Sequence, residues 1–333
     1  MTRPGTITAL LVLTLGIGLL AACVPGVRTP ERTPVTVQLS WLHTVEFAGF
    51  YAAVAQGYYA NENLDVTLRP GAYDILPWVE VSEGRADFGI AGGDSLLIAR
   101  ATGFPVHAIG TIFRLNPVVF MTLASSGITN PTDMAGKRIG IISPQMDNTN
   151  DIQLRAMLQR VGVDESSLQF VLIQDYSYNS LTSGAMDVYS GFVQNEPVQA
   201  QMDGIAVNLI FPEDYGARFY ANVLFTRDDM VAERADVVER FMRATLRGYR
   251  YAVENPDEVS ALVLQYDKTL DLEFQRASMR AEIPMIDTGD APIGWMDDEV
   301  WQISQEILLQ QGLLPSSVDL ATFYTNRFVE AAQ

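Results

Sequence analysis

Aromatic and titratable side chains are concentrated in residues 40–51, SWLHTVEFAGFY, directly after the first predicted strand. Trp41, Phe47 and Tyr51 could stack against a flat heteroaromatic molecule, while a polar neighbour such as His43 fixes its orientation. Phe47 could equally be a core residue on the buried face of the helix that begins here, and the sequence leaves both interpretations open. For Trp41 the pattern favours a binding pocket.

No enzyme signature accompanies this stretch. The sequence has no Walker loop, no GxSxG, no HExxH and no GxGxxG placed after a strand. The two histidines, His43 and His107, have neither a neighbouring nucleophile nor metal-ligand spacing. The single cysteine, Cys23, excludes a disulfide framework and a cysteine-based metal site. The residues therefore predict no catalytic group, no cofactor and no metal site.

The elements that must position these side chains alternate between strand-like and helix-like segments, which is typical of α/β lobes with mainly parallel sheets. One junction recurs: SEGRADF at 82–88 and TSGAMDV at 182–188 share Gly and Asp at the same spacing, each between a predicted helix and a strand. We therefore expect a duplicated unit whose strand ends face each other across a cleft, where ligands of open α/β sheets bind. After the first copy, Asp94 is expected to cap a helix over 95–102.

Residues 1–22 have the features of a bacterial secretion signal, with Arg3 near the start and an apolar run over 7–20 that is too short to span a bilayer comfortably. The following Leu-Ala-Ala-Cys resembles the lipobox of bacterial lipoproteins, so we predict acylation of Cys23, for example with palmitate. This would hold the chain on the extracytoplasmic face of the cell membrane. The alternative is an ordinary cleaved signal with an incidental cysteine. Residues 23–34, rich in proline, are expected to form an extended tether.

The net charge of −18 at pH 7 argues against nucleic acid and anionic lipid as direct partners, because both require basic patches. We therefore expect the membrane to be contacted through the lipid anchor only. The roughly 300 residues after the tether are enough for two lobes with separate cores. We assign 35–120 and 225–333 to lobe 1 and 121–224 to lobe 2, and we expect a monomer.

Three segments carry a resemblance to a known family: WLHTVEFAGFYAAVAQGYY at 41–59, GRADFG at 84–89 and MAGKRIG at 134–140. They resemble the solute-binding proteins of ABC importers, in the group that binds thiamine precursors and riboflavin and is related to sulfonate and taurine binders. The resemblance implies an α/β fold of the type II periplasmic-binding-protein class, with two crossover strands and a ligand cleft between the lobes. It also implies delivery of the ligand to a membrane permease powered by a separate ATPase.

Candidate ligand-binding residues lie at the predicted strand ends of both lobes. They are Trp41, Phe47, Tyr51, Tyr73, Asp74 and Asp94 in the first lobe, and Ser143, Asn148, Tyr176, Asn195 and Glu196 in the second. This set is rich in aromatic and carboxamide groups and poor in Arg and Lys. Because sulfonates and phosphates usually require cationic or bidentate partners, these ligands become less favoured.

Two vitamin-type ligands remain, and the sequence does not separate them decisively. Riboflavin offers a wide ring for stacking and an imide edge, and we place it first. A formylated aminopyrimidine offers an amino group that Glu196 or Asp94 could accept. The superfamily also contains thiamine-pyrimidine synthases with a cysteine-rich iron motif, but this chain has only Cys23, so that single-turnover activity is not expected. A scaffold lipoprotein without a transport role is the remaining alternative.

Overall fold

Strands of two sheets position the candidate residues in this computed structural model, which describes Met1, residues 32–174 and residues 177–333. The strands are β1 (Thr33–Gln38), β2 (Leu64–Arg69), β3 (Phe88–Ala91), β4 (Val106–Phe113), β5 (Val118–Leu123), β6 (Arg138–Ile141), β7 (Gln169–Leu172), β8 (Tyr189–Phe192), β9 (Val207–Ile210) and β10 (Ala221–Arg227). Cys23 lies outside the described residues, as do residues 2–22 of the predicted signal and residues 24–31 of the predicted tether. The last two residues of that tether, 33 and 34, belong to β1, so the tether was predicted to extend too far.

Helices surround both sheets. The α-helices are α1 (Ala48–Ala55), α2 (Tyr58–Asn61), α3 (Pro77–Ser82), α4 (Gly93–Ala101), α5 (Thr149–Val161), α6 (Asn179–Thr182), α7 (Glu196–Met202), α8 (Asp228–Glu233), α9 (Ala235–Glu254), α10 (Pro256–Leu262), α11 (Leu272–Ile286), α12 (Asp298–Gln310), α13 (Leu320–Phe323) and α14 (Arg327–Glu330). A 3-10 helix, Val45–Phe47, precedes α1. Within the described ranges, no helix has both the length and the apolar character needed to cross a bilayer.

The two sheets have the same strand order. The first is β2-β1-β3-β10-β4, in which β1 is parallel to β2 and β3, and β10 is antiparallel to its two neighbours. In the second, β5 pairs antiparallel with β8 and β9, β6 pairs parallel with β7, and a parallel bridge from Ile139 to Val188 joins these two pieces. The resulting order, β7-β6-β8-β5-β9, repeats that of the first sheet. β5 and β10 are therefore the strands by which the chain enters the second sheet and returns to the first.

The duplicated junction has the same geometry in both sheets, which confirms the repeat predicted from the sequence. Gly84 and Gly184 both adopt a φ of 72°, a left-handed conformation that glycine reaches without steric cost. The carboxylates of Asp87 and Asp187 each accept a backbone N–H at 2.8 Å, from Thr36 in β1 and from Arg138 in β6. Each aspartate thus fastens the start of the central strand of its sheet, β3 or β8, to the neighbouring strand, β1 or β6.

Two adjacent connections link the sheets, one between β4 and β5 and the other between β9 and β10. The Asn116 side chain donates to the carbonyl of Phe219 at 3.2 Å and accepts from the backbone of Val118 at 3.0 Å, so it joins the first connection to the second. The backbone N–H of Gly93 also donates to the carbonyl of Tyr220 at 2.9 Å. The predicted lobe boundaries, at 120/121 and 224/225, fall inside the crossover strands and stay a prediction.

Helix α1 packs against α9 at a close crossing that holds the aromatic stretch in place. A Cβ atom on Gly248 would lie 2.1 Å from the carbonyl oxygen of Gly49, and one on Gly49 would lie 2.2 Å from the ring of Tyr249. Neither position therefore admits a larger side chain without movement. Phe50 packs edge-on against Tyr249 at 5.6 Å in the same core, which covers one face of the first sheet.

Candidate functional site

An aromatic pair lies beyond the carboxyl ends of β1 and β2. Trp41 is half-buried and meets Tyr73 edge-on, with 4.6 Å between ring centroids, while 69% of the Tyr73 surface is exposed. The backbone N–H of Gly71 donates to the carbonyl of Trp41 at 2.8 Å and so holds the two loops together. The structure brings Trp41 and Tyr73 together, with Asp74 exposed beside them, in a position where a ring could stack.

Phe47 and Tyr51 occupy more interior positions. The side chain of Phe47 is fully buried in the hydrophobic core, as in the second interpretation of the sequence. Tyr51 is 1% exposed, and its hydroxyl lies 3.0 Å from Nδ1 of His43. Its ring packs 4.5 Å from that of Tyr266. Burial raises the pKa of Tyr51 and lowers that of His43, so a neutral hydroxyl donating to a neutral imidazole is the favoured state of this contact.

Asp94 joins the first sheet to the second. It is the second residue of α4, whose N-cap is Gly92, so the predicted cap role of Asp94 is wrong. The carboxylate instead accepts a hydrogen bond of 2.6 Å from Oγ1 of Thr149, the first residue of α5. Asn148 caps α5 by accepting from the backbone N–H of Asn150 at 3.0 Å. Two helix N-termini therefore face each other across Asp94, whose pKa is raised by burial.

Polar groups also lie at the strand ends of the second sheet. Ser143 donates its backbone N–H to the Asp151 carboxylate at 2.7 Å, at the end of β6. Glu196, at the start of α7, accepts from the backbone N–H of Phe192 at 3.0 Å, and burial raises its pKa to about 7. Asn195 is exposed beside it, and Tyr176 lies outside the described residues. A cavity of about 220 Å³ is lined by Ser177, Tyr178, Asn195, Glu196, Gln199 and Phe274.

The sequence did not reveal a further group of four polar side chains, of which Glu46 is half-buried and Glu282, Gln194 and Asn222 are buried. Glu46 belongs to the 3-10 helix before α1, and burial raises its pKa to about 7. Glu282 of α11 is 1% exposed, and its pKa is raised further by burial and by the nearby charge of Glu46. Gln194 and Asn222 are 4% and 7% exposed at the same place. Glu46 stands in the aromatic stretch, but nothing in the sequence around Glu282 indicates that its helix face is buried.

The described residues show no metal-binding arrangement of three or more His, Cys, Asp or Glu side chains. The chain can also be compared with known proteins. Residues 44–259 match the model of the family described as NMT1/THI5 like. The chain belongs to the NMT1/THI5-like family. The matched segment includes residues 44–51 of the aromatic stretch, both copies of the repeated junction and Glu196.

Relatives of this NMT1/THI5-like chain include two proteins with binding functions in their names. The riboflavin-binding protein RibY of Chloroflexus aurantiacus is 30% identical, over 96% of this chain and 97% of its own length. The formylaminopyrimidine-binding protein of Halalkalibacterium halodurans is 27% identical, over 87% of this chain and 89% of its own. Among solved structures, the periplasmic aliphatic sulphonate binding protein SsuA of Escherichia coli superposes with a TM-score of 0.69 at 14% identity, covering 89% of this chain and 92% of its own. The fold is therefore the two-lobed periplasmic-binding-protein fold.

Thr149→Val is expected to weaken ligand binding in this NMT1/THI5-like protein by roughly 10-fold, because it removes the hydrogen bond to Asp94 between facing helices. A hydrogen bond to a charged group contributes about 1.5–3 kcal/mol, and part of that is replaced by water when the helices separate. The change keeps the shape of the side chain. Calorimetric titration with the ligand measures it, and Thr132→Val, at an exposed threonine, is the control. Equal affinity in the Thr149 variant and the wild type would contradict a role of this contact in the bound state.

Proposed function

We propose that this chain is the extracytoplasmic solute-binding protein of an ABC importer and that it captures a heteroaromatic vitamin, with riboflavin as the first candidate. The observation that carries the proposal is the similarity, along almost the whole chain, to a relative named as a riboflavin-binding protein. The aromatic pair of the half-buried Trp41 and the exposed Tyr73 supports it, because a wide ring system needs such a stacking surface.

In this proposal the candidate residues bind the ligand from both lobes. Trp41 and Tyr73 supply aromatic surface, and the buried Phe47 and Tyr51 support that surface from the core. The polar contacts come from Asp74, Asp94, Ser143, Asn148, Tyr176, Asn195 and Glu196. The cavity of about 220 Å³ beside Glu196 is smaller than the roughly 300–1,000 Å³ of common ligand pockets. The lobes, taken as residues 35–120 with 225–333 and residues 121–224, therefore move apart to admit the ligand, and the ligand favours the closed form through its contacts with both.

A formylated aminopyrimidine is the second candidate, and the carboxyl groups favour it. Asp94 has one carboxylate oxygen without a hydrogen-bond partner in the described structure, and the Glu196 carboxylate accepts from the backbone N–H of Phe192 beside the cavity. Either could accept from an exocyclic amino group. A second relative is named as a formylaminopyrimidine-binding protein, which supports the same reading.

Direct binding measurements decide between the two ligands. We expect riboflavin to lose fluorescence on titration with the purified chain and to saturate at micromolar concentration or below. Formylaminopyrimidine is titrated in parallel by calorimetry. Saturable binding of the pyrimidine without binding of riboflavin would reverse our order, and binding of neither would contradict the proposed function.

We propose further that the chain binds its ligand without converting it and acts as a monomer that delivers it to a permease with a separate ATPase. The lone cysteine supports this, because a cysteine-rich iron motif is absent from the sequence. Incubation of the purified protein with riboflavin, pyrimidine or candidate cofactors is expected to return the ligand unchanged by mass spectrometry. A new product would establish an enzyme. A scaffold lipoprotein would instead bind no small molecule.

Cys23→Ser is expected to abolish membrane retention while leaving ligand affinity unchanged within about twofold. Membrane retention is lost because attachment comes from burial of the acyl chains in the bilayer. Affinity is unchanged because Cys23 lies before the first strand, outside the predicted ligand-binding lobes. Fractionation of cells, palmitate labelling and titration of the released protein measure these effects. Val24→Ala, next to the lipidation residue, is the control. Retention of the serine variant at the membrane would contradict the lipid anchor.

A further inference from the structure

Four polar side chains from four different elements converge where the lobes meet. Glu46 comes from the 3-10 helix before α1 and Asn222 from β10, and the two interact closely enough for Asn222 to lower the pKa of Glu46. Glu282 of α11 interacts with Glu46 through its charge. Gln194 follows β8, and its carbonyl accepts a hydrogen bond of 2.7 Å from Ser278, one turn before Glu282 on α11.

Neighbouring residues hold these four side chains in place. Gln275 of α11 accepts from the backbone N–H of Val45 at 3.0 Å, and this bond fixes the segment of Glu46 against α11. Gln275, Ser278 and Glu282 recur at helical spacing and are all at least 97% buried, so α11 turns a polar stripe inward. The position of these groups is therefore a property of the packed fold.

Several atoms of this group have no hydrogen-bond partner in the described structure. They are both carboxylate oxygens of Glu282, the side-chain oxygen of Gln194 and the side-chain nitrogen of Asn222, which lies near Glu46 without a well-aligned hydrogen bond to it. Each of these side chains is more than nine-tenths buried. Unpaired buried polar groups are costly and uncommon in folded proteins, and their concentration in one place indicates a ligand that pairs with them.

We propose that Glu46, Glu282, Gln194 and Asn222 form a polar subsite that binds the edge of a neutral heterocycle carrying an N–H donor beside a carbonyl or ring-nitrogen acceptor. This inference rests on the proposed function and assigns the residues that recognise the ligand's hydrogen-bonding edge. The imide of a flavin and the amino-substituted edge of an aminopyrimidine both have this pattern.

The hydrogen-bonding capacity of the subsite matches such an edge. Two carboxyl groups that interact in a low-dielectric environment cannot both be ionised easily, so the pair retains a proton near neutral pH. One carboxyl then donates an O–H, while the other carboxylate and the Gln194 oxygen accept, and the Asn222 amide donates. An anionic ligand would be repelled, because Glu46 and Glu282 form no ion pair with any Arg, Lys or His among the described residues.

The groups that face the pair come from every neighbouring element. Ser40, after β1, and Asn222 lie close enough to Glu46 to lower its pKa. Tyr51 of α1 and Tyr249 of α9 both experience the charges of Glu46 and Glu282. Because burial raises the pKa of both tyrosines, they stay neutral across the pH range in which the carboxyl groups titrate. Protons exchanged near neutral pH at this place are therefore expected to come from the two glutamates.

The test combines a change in the protein with a change in the ligand. Each protein variant lacks one carboxyl group, and the modified ligand lacks the N–H donor. Riboflavin and 3-methylriboflavin, which lacks the imide N–H, are titrated against the full chain and against Glu46→Gln and Glu282→Gln. We expect each substitution to raise the Kd for riboflavin at least 10-fold. The wild type should prefer riboflavin over the methylated form by at least 10-fold, and the variants should lose most of this preference. If the pyrimidine is the ligand, the same test uses its analogue without the amino group.

Glu213→Gln is the matched control, because Glu213 is a half-buried carboxyl with a raised pKa that accepts from the Asn116 backbone, away from the subsite. It is expected to change Kd less than threefold. Thermal melts identify variants that fail to fold. If one variant does not fold, the preference of the wild type for riboflavin over 3-methylriboflavin still tests the subsite. Unchanged affinity and preference in both glutamine variants would overturn the subsite while leaving the proposed function intact. If the wild type binds neither vitamin, the proposed function fails and the subsite fails with it.

Discussion

Gly248→Ala is expected to lower the free energy of unfolding by roughly 3 kcal/mol, although alanine ordinarily stabilises a helix relative to glycine by about 0.5–1 kcal/mol. The new Cβ would lie 2.1 Å from the backbone carbonyl of Gly49, which no rotamer change can move away. Helices α1 and α9 would have to separate, and the aromatic core between them would lose contacts. Urea denaturation followed by tryptophan fluorescence measures the change.

Glu239→Ala is the control for this substitution, because Glu239 is exposed on the same helix. It is expected to change the free energy of unfolding by less than about 0.5 kcal/mol. A Gly248→Ala variant as stable as the wild type, or more stable, would show that intrinsic helix propensity outweighs the close crossing. The crossing of α1 and α9 would then accommodate a Cβ atom at residue 248, contrary to the packing described above.

Glu46→Gln is expected to make the protein more stable than the wild type at pH 8, by no more than about 3 kcal/mol, and to have little effect at pH 4.5. Folding raises the pKa of Glu46 from 4.5 to about 7, so the folded protein holds a proton that the unfolded chain releases. Stability from this group is therefore complete below about pH 4.5 and is lost as pH rises through about 7. One pKa unit corresponds to about 1.4 kcal/mol, and the partial exposure of Glu46 reduces the effect.

Denaturation curves of the wild type and the variant at several pH values between 4.5 and 8 measure this difference. Glu299→Gln provides the control for removal of a carboxyl group, because 75% of the Glu299 side chain is exposed. We expect this substitution to change the free energy of unfolding by less than about 0.5 kcal/mol. A constant difference between Glu46→Gln and the wild type at all pH values would contradict the raised pKa. If Glu46→Gln stabilised the protein more at low pH than at high pH, folding would lower the pKa of Glu46 instead of raising it.

Much of the fold was predictable because local and long-range signals agree. Alternating apolar segments bounded by glycines marked most strands and helices within a few residues, as at β2 and α5. The repeated Gly and Asp of the two junctions identified a duplication, because the left-handed glycine and the carboxylate that fastens the strand impose the same residues in both copies. The pairing of strands far apart in the sequence, such as β10 between β3 and β4, could be expected only from the family resemblance.

The site was less predictable because burial depends on tertiary contacts. A helix usually turns its polar residues toward solvent, so Gln275, Ser278 and Glu282 gave no indication that they face inward. Their burial follows from contacts with the segment of Glu46 and the end of β8, which lie more than 80 residues away in the sequence. Asp94 was recognised as a polar group at a strand end, but its bond to Thr149 depends on how the two sheets meet.

The hydrogen bond between Asn116 and Phe219 has a mechanical consequence. Two links that run side by side and are fastened to each other resist twisting and sliding, but they bend about a line that crosses both. The relative motion of the two halves is thereby reduced to nearly one angular degree of freedom, carried by a few backbone dihedrals. Few conformations are lost when the halves come together, so little of the ligand's interaction energy is consumed in ordering the protein. A receptor built in this way can cycle between capture and release with small entropic cost at each step.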